Sequence, residues 1–185
     1  RSTLFPYTTL FRSLKVCNQN GFCPSYAALR ALDYAADTGI DIVNMSLGGR
    51  ANPIGHAICE GIQNYRQSGG ILVTAAGNSN IDTLQFVPGG CSDVISVAAL
   101  DETGTKASFS NYGTKTTISA PGVNVSSTYP VDKGSYRQLS GTSMSTPHIT
   151  GLISILKTYD PNLTQGQAVQ LLQNFPQTVN SDRSL

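Results

Sequence analysis

Ile40-Asp41-Ile42-Val43-Asn44-Met45-Ser46-Leu47-Gly48-Gly49 is a β-branched, apolar run that stops at a serine and a pair of glycines. Residues 40–45 have the length and composition of a buried strand, and the glycines mark where the chain leaves it. On the N-terminal side Ala28, Leu29, Leu32 and Ala35 recur at helical spacing, with Ser25 placed to cap that helix and Gly39 to end it. On the C-terminal side Asn52-Pro53 reads as N-cap and first helical residue. Ile54, Ala57, Ile58, Ile62 and Tyr65 follow, and Gly69-Gly70 stops the helix. Residues 71–75 are strand again. Strands separated by helices predict parallel pairing through right-handed crossovers, with helices on both faces of the sheet.

The same alternation extends in both directions. A short strand is expected at 14–16, further strands at 94–100 and 117–120, an apolar helix from Ser143, and a last helix opened by Thr164 with Gln167 at capping-box spacing. The fold class is therefore α/β, a three-layer, doubly wound, mostly parallel sheet. Sites in such sheets lie beyond the C-terminal strand ends. Residues 46–49 and 76–78 sit just past two of them.

Gly141-Thr142-Ser143-Met144-Ser145-Thr146-Pro147-His148 places a serine at the start of an apolar helix directly after a glycine. Such a hydroxyl is open on one side, and the positive end of the helix dipole favours negative charge developing beside it. Ile149, Leu152, Ile153, Ile155 and Leu156 make the helix apolar on nearly every face, so it is expected in the middle of the domain.

Four segments in order, Asn44-Met45-Ser46-Leu47-Gly48-Gly49, Ala75-Ala76-Gly77-Asn78-Ser79, Ser108-Phe109-Ser110-Asn111-Tyr112-Gly113, and the Ser143 segment preceded by Ala120-Pro121-Gly122, resemble a subtilisin-like serine protease (subtilase, peptidase family S8) catalytic domain. The likeness runs from Leu14 to about Phe175 and matches the C-terminal two thirds of such a domain, so it implies an N-terminally truncated subtilisin-like fold. It also implies a serine endopeptidase that cleaves peptide bonds through an acyl-enzyme on Ser143. Asn78, in a tight loop at a strand end, would then donate to the oxyanion together with the Ser143 backbone N–H. Ser46, Leu47, Gly48 and Gly49 resemble the edge along which an extended substrate adds by β-augmentation. With Ala75, Ala76 and Gly77 opposite, they would line the pocket for the residue before the scissile bond, whose small walls are compatible with bulky apolar or aromatic side chains.

Two catalytic partners are missing from the pattern. The family's aspartate belongs on an early strand and its histidine in a His-Gly-Thr-His-type helix start, whereas the histidines here are His56 and His148. His148 lies five residues past Ser143, about 7.5 Å along the helix and rotated by about 140°, out of reach of its hydroxyl. His56 falls in the first turn of the Pro53 helix, where a capping or surface histidine is expected. Asp37-Thr38-Gly39 imitates a catalytic aspartate motif but follows helical spacing and ends a helix. The catalytic Asp and His are therefore expected upstream of Leu14. Residues 1–13, with the near repeats Arg1-Ser2-Thr3-Leu4-Phe5 and Thr9-Leu10-Phe11-Arg12-Ser13, resemble a translated sequencing-adaptor artefact, the alternative being an unpaired N-terminal arm. Residues 14–185 are read as one partial peptidase domain, inactive alone.

Composition agrees. Charged residues make up 12% of the 185, about half the usual share, and the formal net charge is +1. This gives no footprint for nucleic acid and no run of the length a membrane helix requires. A secreted monomer acting on polypeptides is expected. Cys17 and Cys23 flank a short Asn-Gly loop and can close a local disulfide; Cys59 and Cys91 are either a second bridge or two buried thiols. No cofactor is identifiable. The resemblance allows structural calcium, although no acidic cluster specifies a site. Ser145 stands where the family usually has alanine. Two other readings remain: a catalytically silent subtilase-like binding domain, and a nucleotide-binding domain, which no Gly-x-Gly-x-x-Gly or Walker sequence supports.

Overall fold

The computed structural model describes residues 11–174, excluding the side chains of Pro53, Ile54 and His56. Four helices, α1 (Ser25–Asp37), α2 (Pro53–Gln67), α3 (Thr142–Tyr159) and α4 (Gln165–Asn174), flank strands β1 (Ile42–Met45), β2 (Gly49–Arg50), β3 (Ile71–Ala75), β4 (Phe86–Val87), β5 (Ile95–Leu100), β6 (Ile118–Pro121), β7 (Val125–Thr128) and β8 (Tyr136–Leu139). The central sheet is parallel with strand order β1-β3-β5-β6. Its register sets Val73 beside both Asn44 and Ile95, so β3 is enclosed by strands on either side.

One face of the sheet carries α1 and α2. Ala28, Leu32 and Ala35 pack with Ile58, Ile62, Tyr65 and Leu72. Tyr65 is almost fully buried and donates its hydroxyl to the Ile40 carbonyl at 2.8 Å. Burial, with the nearby Asp41 charge, pushes its phenol well above the ordinary value. The other face carries α3 and α4, with Ile71, Val73, Ile95, Val97, Ile149, Ile153 and Leu172 forming the second core. Strand alternation produces this division: odd positions of β3 face one helical layer and Leu72 the other.

Local sequence signals explain most helix ends. Asn52 caps α2 by accepting from the Gly55 N–H at 2.7 Å, and Pro53 needs no acceptor for its nitrogen. Thr164 and Gln167 form the reciprocal capping box of α4 (2.9 and 3.3 Å). Asp37 ends α1, as its helical spacing requires, and Gly39 follows at φ +64°.

Three expectations are corrected. Residues 14–16 form no strand, because three residues without a pairing partner gain no ladder hydrogen bonds. Ser25 is the first helical residue of α1, not its cap; Pro24 takes that place in extended conformation without a side-chain hydrogen bond. Helix α3 is buried along one stripe only: Ile149 and Ile153 are inside, Leu152 and Leu156 half-buried, and Ile155 is 56% exposed.

Both disulfides are formed, Cys17–Cys23 and Cys59–Cys91. The second joins α2 to the turn after β4.

Candidate active site

Three strand exits and one helix start converge on Ser143. Ser46 follows β1, Asn78 follows β3 by three residues, Gly122 follows β6, and Thr142 opens α3. Gly122 accepts the Gly141 N–H at 2.8 Å, so the turn into α3 is pinned to the end of β6.

Thr142 connects the helix to the Asn78 loop. Its backbone N–H donates to Asn78 Oδ1 at 2.8 Å and its hydroxyl donates to the same oxygen at 2.9 Å, while accepting from the Gly77 N–H at 3.2 Å. A backbone N–H can only donate, so the Asn78 atom facing Thr142 must be the oxygen. The amide nitrogen Nδ2 is thereby turned away from Thr142 and presented elsewhere. A β-carbon placed on Gly141 would lie 3.4 Å from Asn78 Nδ2 and 3.7 Å from the Ser143 amide nitrogen. Glycine leaves that position empty, so the space beside both nitrogens stays open. The other early N–H groups of α3 are used: that of Thr142 by Asn78, and that of Met144 by the Gly141 carbonyl at 2.9 Å.

The Asn78 loop is held from behind by Asn111, which is fully buried. Asn111 Nδ2 donates to the Ala76 carbonyl (2.8 Å), Oδ1 accepts from the Ser79 and Ile81 N–H groups (3.0 and 3.2 Å), and its own N–H donates to Gly77 (2.9 Å). Lys106 adds a brace on the outside by donating to Asn80 Oδ1 and to the Ala107 and Ser110 carbonyls. Sequence reading quoted Asn111 and Thr142 within motifs but gave neither a role. A buried asparagine with both side-chain polar atoms used has no local signature, because its side-chain partners lie 30 or more residues away.

The opposite side of Ser143 differs. Its Oγ donates to the Ser46 carbonyl at 3.0 Å, which orients the hydroxyl but cannot take its proton. His148 Nδ1 pairs with the Met144 carbonyl one turn back, and its ring is exposed. His56 lies in the first turn of α2, with its side chain outside the described set. Asp37 sits at the N-terminal end of β1, a strand length away from Ser46. Among the described residues no group of three or more His, Cys, Asp or Glu stands together as a metal site.

Ser46, Leu47 and Gly48 lie between β1 and β2 and Gly49 opens β2, half-buried to exposed; Ala75, Ala76 and Gly77 are buried across from them. Phe86 stands between the two walls. A β-carbon on Gly48 would come 2.8 Å from Phe86 Cζ, and one on Gly77 would come 2.9 Å from its Cγ and Cδ2. Gly49, by contrast, has open space around it. A neighbouring cavity of about 310 Å³ is lined by Leu47, Gly48, Gly49, Phe22 and Ala28 among others.

Ser145 is fully buried, and its hydroxyl has no hydrogen-bond partner. The helix accommodates it, as its small size predicts, but at the cost of an unpaired polar atom.

Comparison with known proteins agrees with this geometry. The model of the Subtilase family matches residues 10–183. Over 159 residues the chain is 40% identical to a thermostable alkaline protease of Halalkalibacterium halodurans, covering 85% of this chain and 42% of that protein. It is 35% identical over 165 residues to subtilisin DY of Bacillus licheniformis, covering 88% of this chain and 58% of that one. The crystal structure of a cold adapted subtilisin-like serine proteinase superposes with a TM-score of 0.79 at 31% identity, over 85% of this chain and 57% of that one. The chain thus spans about half the length of the curated relatives it matches. With the parallel sheet, the helix-borne Ser143 and the Asn78 loop all in place, the chain belongs to the subtilase family.

Proposed function

We propose that this chain is the nucleophile and oxyanion portion of a secreted, monomeric serine endopeptidase. Ser143 would attack the scissile carbonyl of a polypeptide, and Asn78 Nδ2 with the Ser143 N–H would hold the oxyanion that forms. The observation that carries this reading is the double donation of Thr142 to Asn78 Oδ1, at 2.8 and 2.9 Å, which aims the amide. Preorganised donors of this kind give most of the stabilisation of developing charge, because nothing has to reorient during reaction. Ser46, Leu47, Gly48 and Gly49 would pair with the extended substrate, and Ala75, Ala76 and Gly77 would face the residue before the cleaved bond. Two disulfides favour an oxidising compartment outside the cell.

The proton acceptor would come from sequence upstream of Leu14. Two observations support this: Ser143 Oγ donates to a carbonyl instead of a base, and among the described residues β1 is bonded to a neighbour on one side only. Ile42 and Val43 are half-buried and Asn44 is exposed, where every residue of β3 is buried, as expected of a strand at a sheet edge. The polypeptide alone should therefore hydrolyse peptides negligibly. In a subtilisin, loss of the base costs about 10⁶ in kcat.

The test is peptide hydrolysis by the intact gene product and by this chain, each with and without Ser143→Ala. Turnover by the intact product that vanishes with Ser143→Ala, and none by the chain, is the expected result. Ser143-dependent turnover by the chain would contradict the missing base. An inactive intact product would favour the alternative, a silent subtilase-like binding domain.

A further inference from the structure

We propose that Lys106 is a positioning residue for the oxyanion donor: through Asn80 it holds the loop that carries Asn78. This inference rests on the peptidase reading above and adds a residue that acts on Asn78 through its loop. The loop after β3 turns through two left-handed residues, Gly77 at φ +108° and Asn80 at φ +50°, with Asn78 and Ser79 between them. Glycine adopts this conformation freely, whereas an asparagine holds it where local hydrogen bonds favour it. Asn111 fixes the buried side of the loop. Asn80 is the grip on the other side: its N–H donates to the Phe109 carbonyl at 2.9 Å, and its Oδ1 accepts from Lys106 Nζ at 3.1 Å.

An ammonium has three N–H donors, and a surface lysine ordinarily leaves them to water. Lys106 is exposed, yet Nζ donates to three protein oxygens: Asn80 Oδ1 and the carbonyls of Ala107 (3.2 Å) and Ser110 (3.0 Å). Nζ also stands 5.4 Å from the centre of the Tyr112 ring. The base of the side chain is fixed as well. Lys106 bridges to Leu100, the last residue of β5, and the following N–H, of Ala107, donates to the Ala99 carbonyl at 2.8 Å. The side chain is therefore a strut from the end of β5 to the loop after β3. Hydrogen bonds from a charged donor are about twice as strong as neutral ones, which offsets the freedom a long side chain gives up when it is held. Without the strut the loop would open on its exposed side while Asn111 kept the buried side, so the fold would survive and Asn78 Nδ2 would lose its aim. Sequence reading gave Lys106 no role, because it stands 26 residues from Asn80.

The experiment compares two ligands of one sequence, an acyl-tripeptide boronic acid and the same peptide ending in a carboxamide. Boron stands in for the carbonyl carbon. Ser143 Oγ adds to it with an oxygen electron pair, the O–B bond forms, the hydroxyl proton passes to solvent, and boron keeps both of its hydroxyls as a tetrahedral anion. That anion needs the oxyanion donors but no turnover, whereas the carboxamide forms no adduct. Affinities are measured by calorimetry for the boronic acid and by chemical-shift titration for the carboxamide. The proteins are the full 185-residue chain, Ser143→Ala, Lys106→Met, Asn80→Gly and the Lys106→Met/Asn80→Gly double variant, each checked for folding by circular dichroism. Asn80→Gly keeps the left-handed turn and removes only the side chain that Lys106 holds.

In a subtilisin, removing the oxyanion donor outright costs about 10² to 10³ in kcat, so misaiming it should weaken boronic acid binding about tenfold in Lys106→Met and in Asn80→Gly. Carboxamide affinity should stay within about twofold of wild type, and the double variant should lose no more than either single one, because both break the same contact. If Lys106→Met does not fold, Asn80→Gly decides by itself. Wild-type boronic acid affinity in the folded single variants overturns the Lys106 proposal and leaves the peptidase reading intact. So does an equal loss for both ligands, which marks general loosening, and so does a double variant whose loss is the product of the two single ones. Boronic acid binding to the wild-type chain that is absent, or unaffected by Ser143→Ala, overturns the peptidase reading and the role of Lys106 with it.

Discussion

The two sides of Ser143 are built to different degrees. On the oxyanion side Asn78, Thr142, Gly141 and Asn111 form a closed set in which nearly every polar atom has a partner in this chain. On the hydroxyl side Ser143 Oγ rests on the Ser46 carbonyl, beside a strand that among the described residues pairs on one side only. The contrast separates two demands of acyl transfer. Holding developing negative charge needs rigid donors, which the β3 and β5 core and the start of α3 supply together. Removing a proton needs a titratable group, and among the described residues none is aimed at Ser143.

The comparison breaks most readily at Asn111. Asn111→Ala removes three side-chain hydrogen bonds and leaves the Ala76 carbonyl and the Ser79 and Ile81 N–H groups without them. A loss of about 3 kcal/mol or more in urea denaturation is expected, with binding of a peptide boronic acid (a boronate whose boron takes the place of the scissile carbonyl carbon) weakened as the Asn78 loop loosens. A loss below about 1 kcal/mol would show that water replaces Asn111 freely and that the oxyanion side is less rigid than its hydrogen bonds indicate.

Thr142→Val sharpens the same point, because it keeps the shape and removes only the hydroxyl. The Gly77 N–H would lose its acceptor and Asn78 one of two donors, costing about 1–3 kcal/mol by thermal or denaturant unfolding. Retained stability with unchanged boronate affinity would mean that the backbone N–H of Thr142 alone aims Asn78.

Ser145→Ala runs in the opposite direction. Removing a buried hydroxyl without a partner should stabilise the chain by about 1 kcal/mol, seen as a higher Tm. A lower Tm would show that the hydroxyl is paired after all.

The smallest effect is expected at His148. It is exposed and bonded to its own helix, so His148→Ala should change stability by less than about 0.5 kcal/mol and leave boronate affinity unaltered. A pH-dependent affinity that disappears in this variant would make His148 part of the site and close the gap on the hydroxyl side.

Much of this was legible in the chain before folding. Helical spacing at Ala28, Leu32 and Ala35, the Asn52-Pro53 start and the Thr164 and Gln167 box are local rules, satisfied within a few residues, and the structure keeps them. The cap at Ser25 failed because Pro24, extended by its own ring, already ends the preceding segment. The two antiparallel pairs were not foreseen. β2 and β4 have two residues each, and β7 and β8 are mostly exposed, so neither carries an apolar alternation to read.

The sequence by itself determined the α/β alternation, the serine at a helix start and the family. These depend on residue type, order and short spacing. The tertiary structure decided which way the Asn78 amide points, what holds its loop, how far α3 is buried and what occupies the space between residues 46–48 and 75–77. Each of those is a meeting of segments far apart in the chain, Asn78 with Thr142, Asn111 with Ala76, Phe86 with Gly48 and Gly77. Such meetings are fixed by packing and by the requirement that buried polar groups find partners, and neither has a period or a spacing in the sequence.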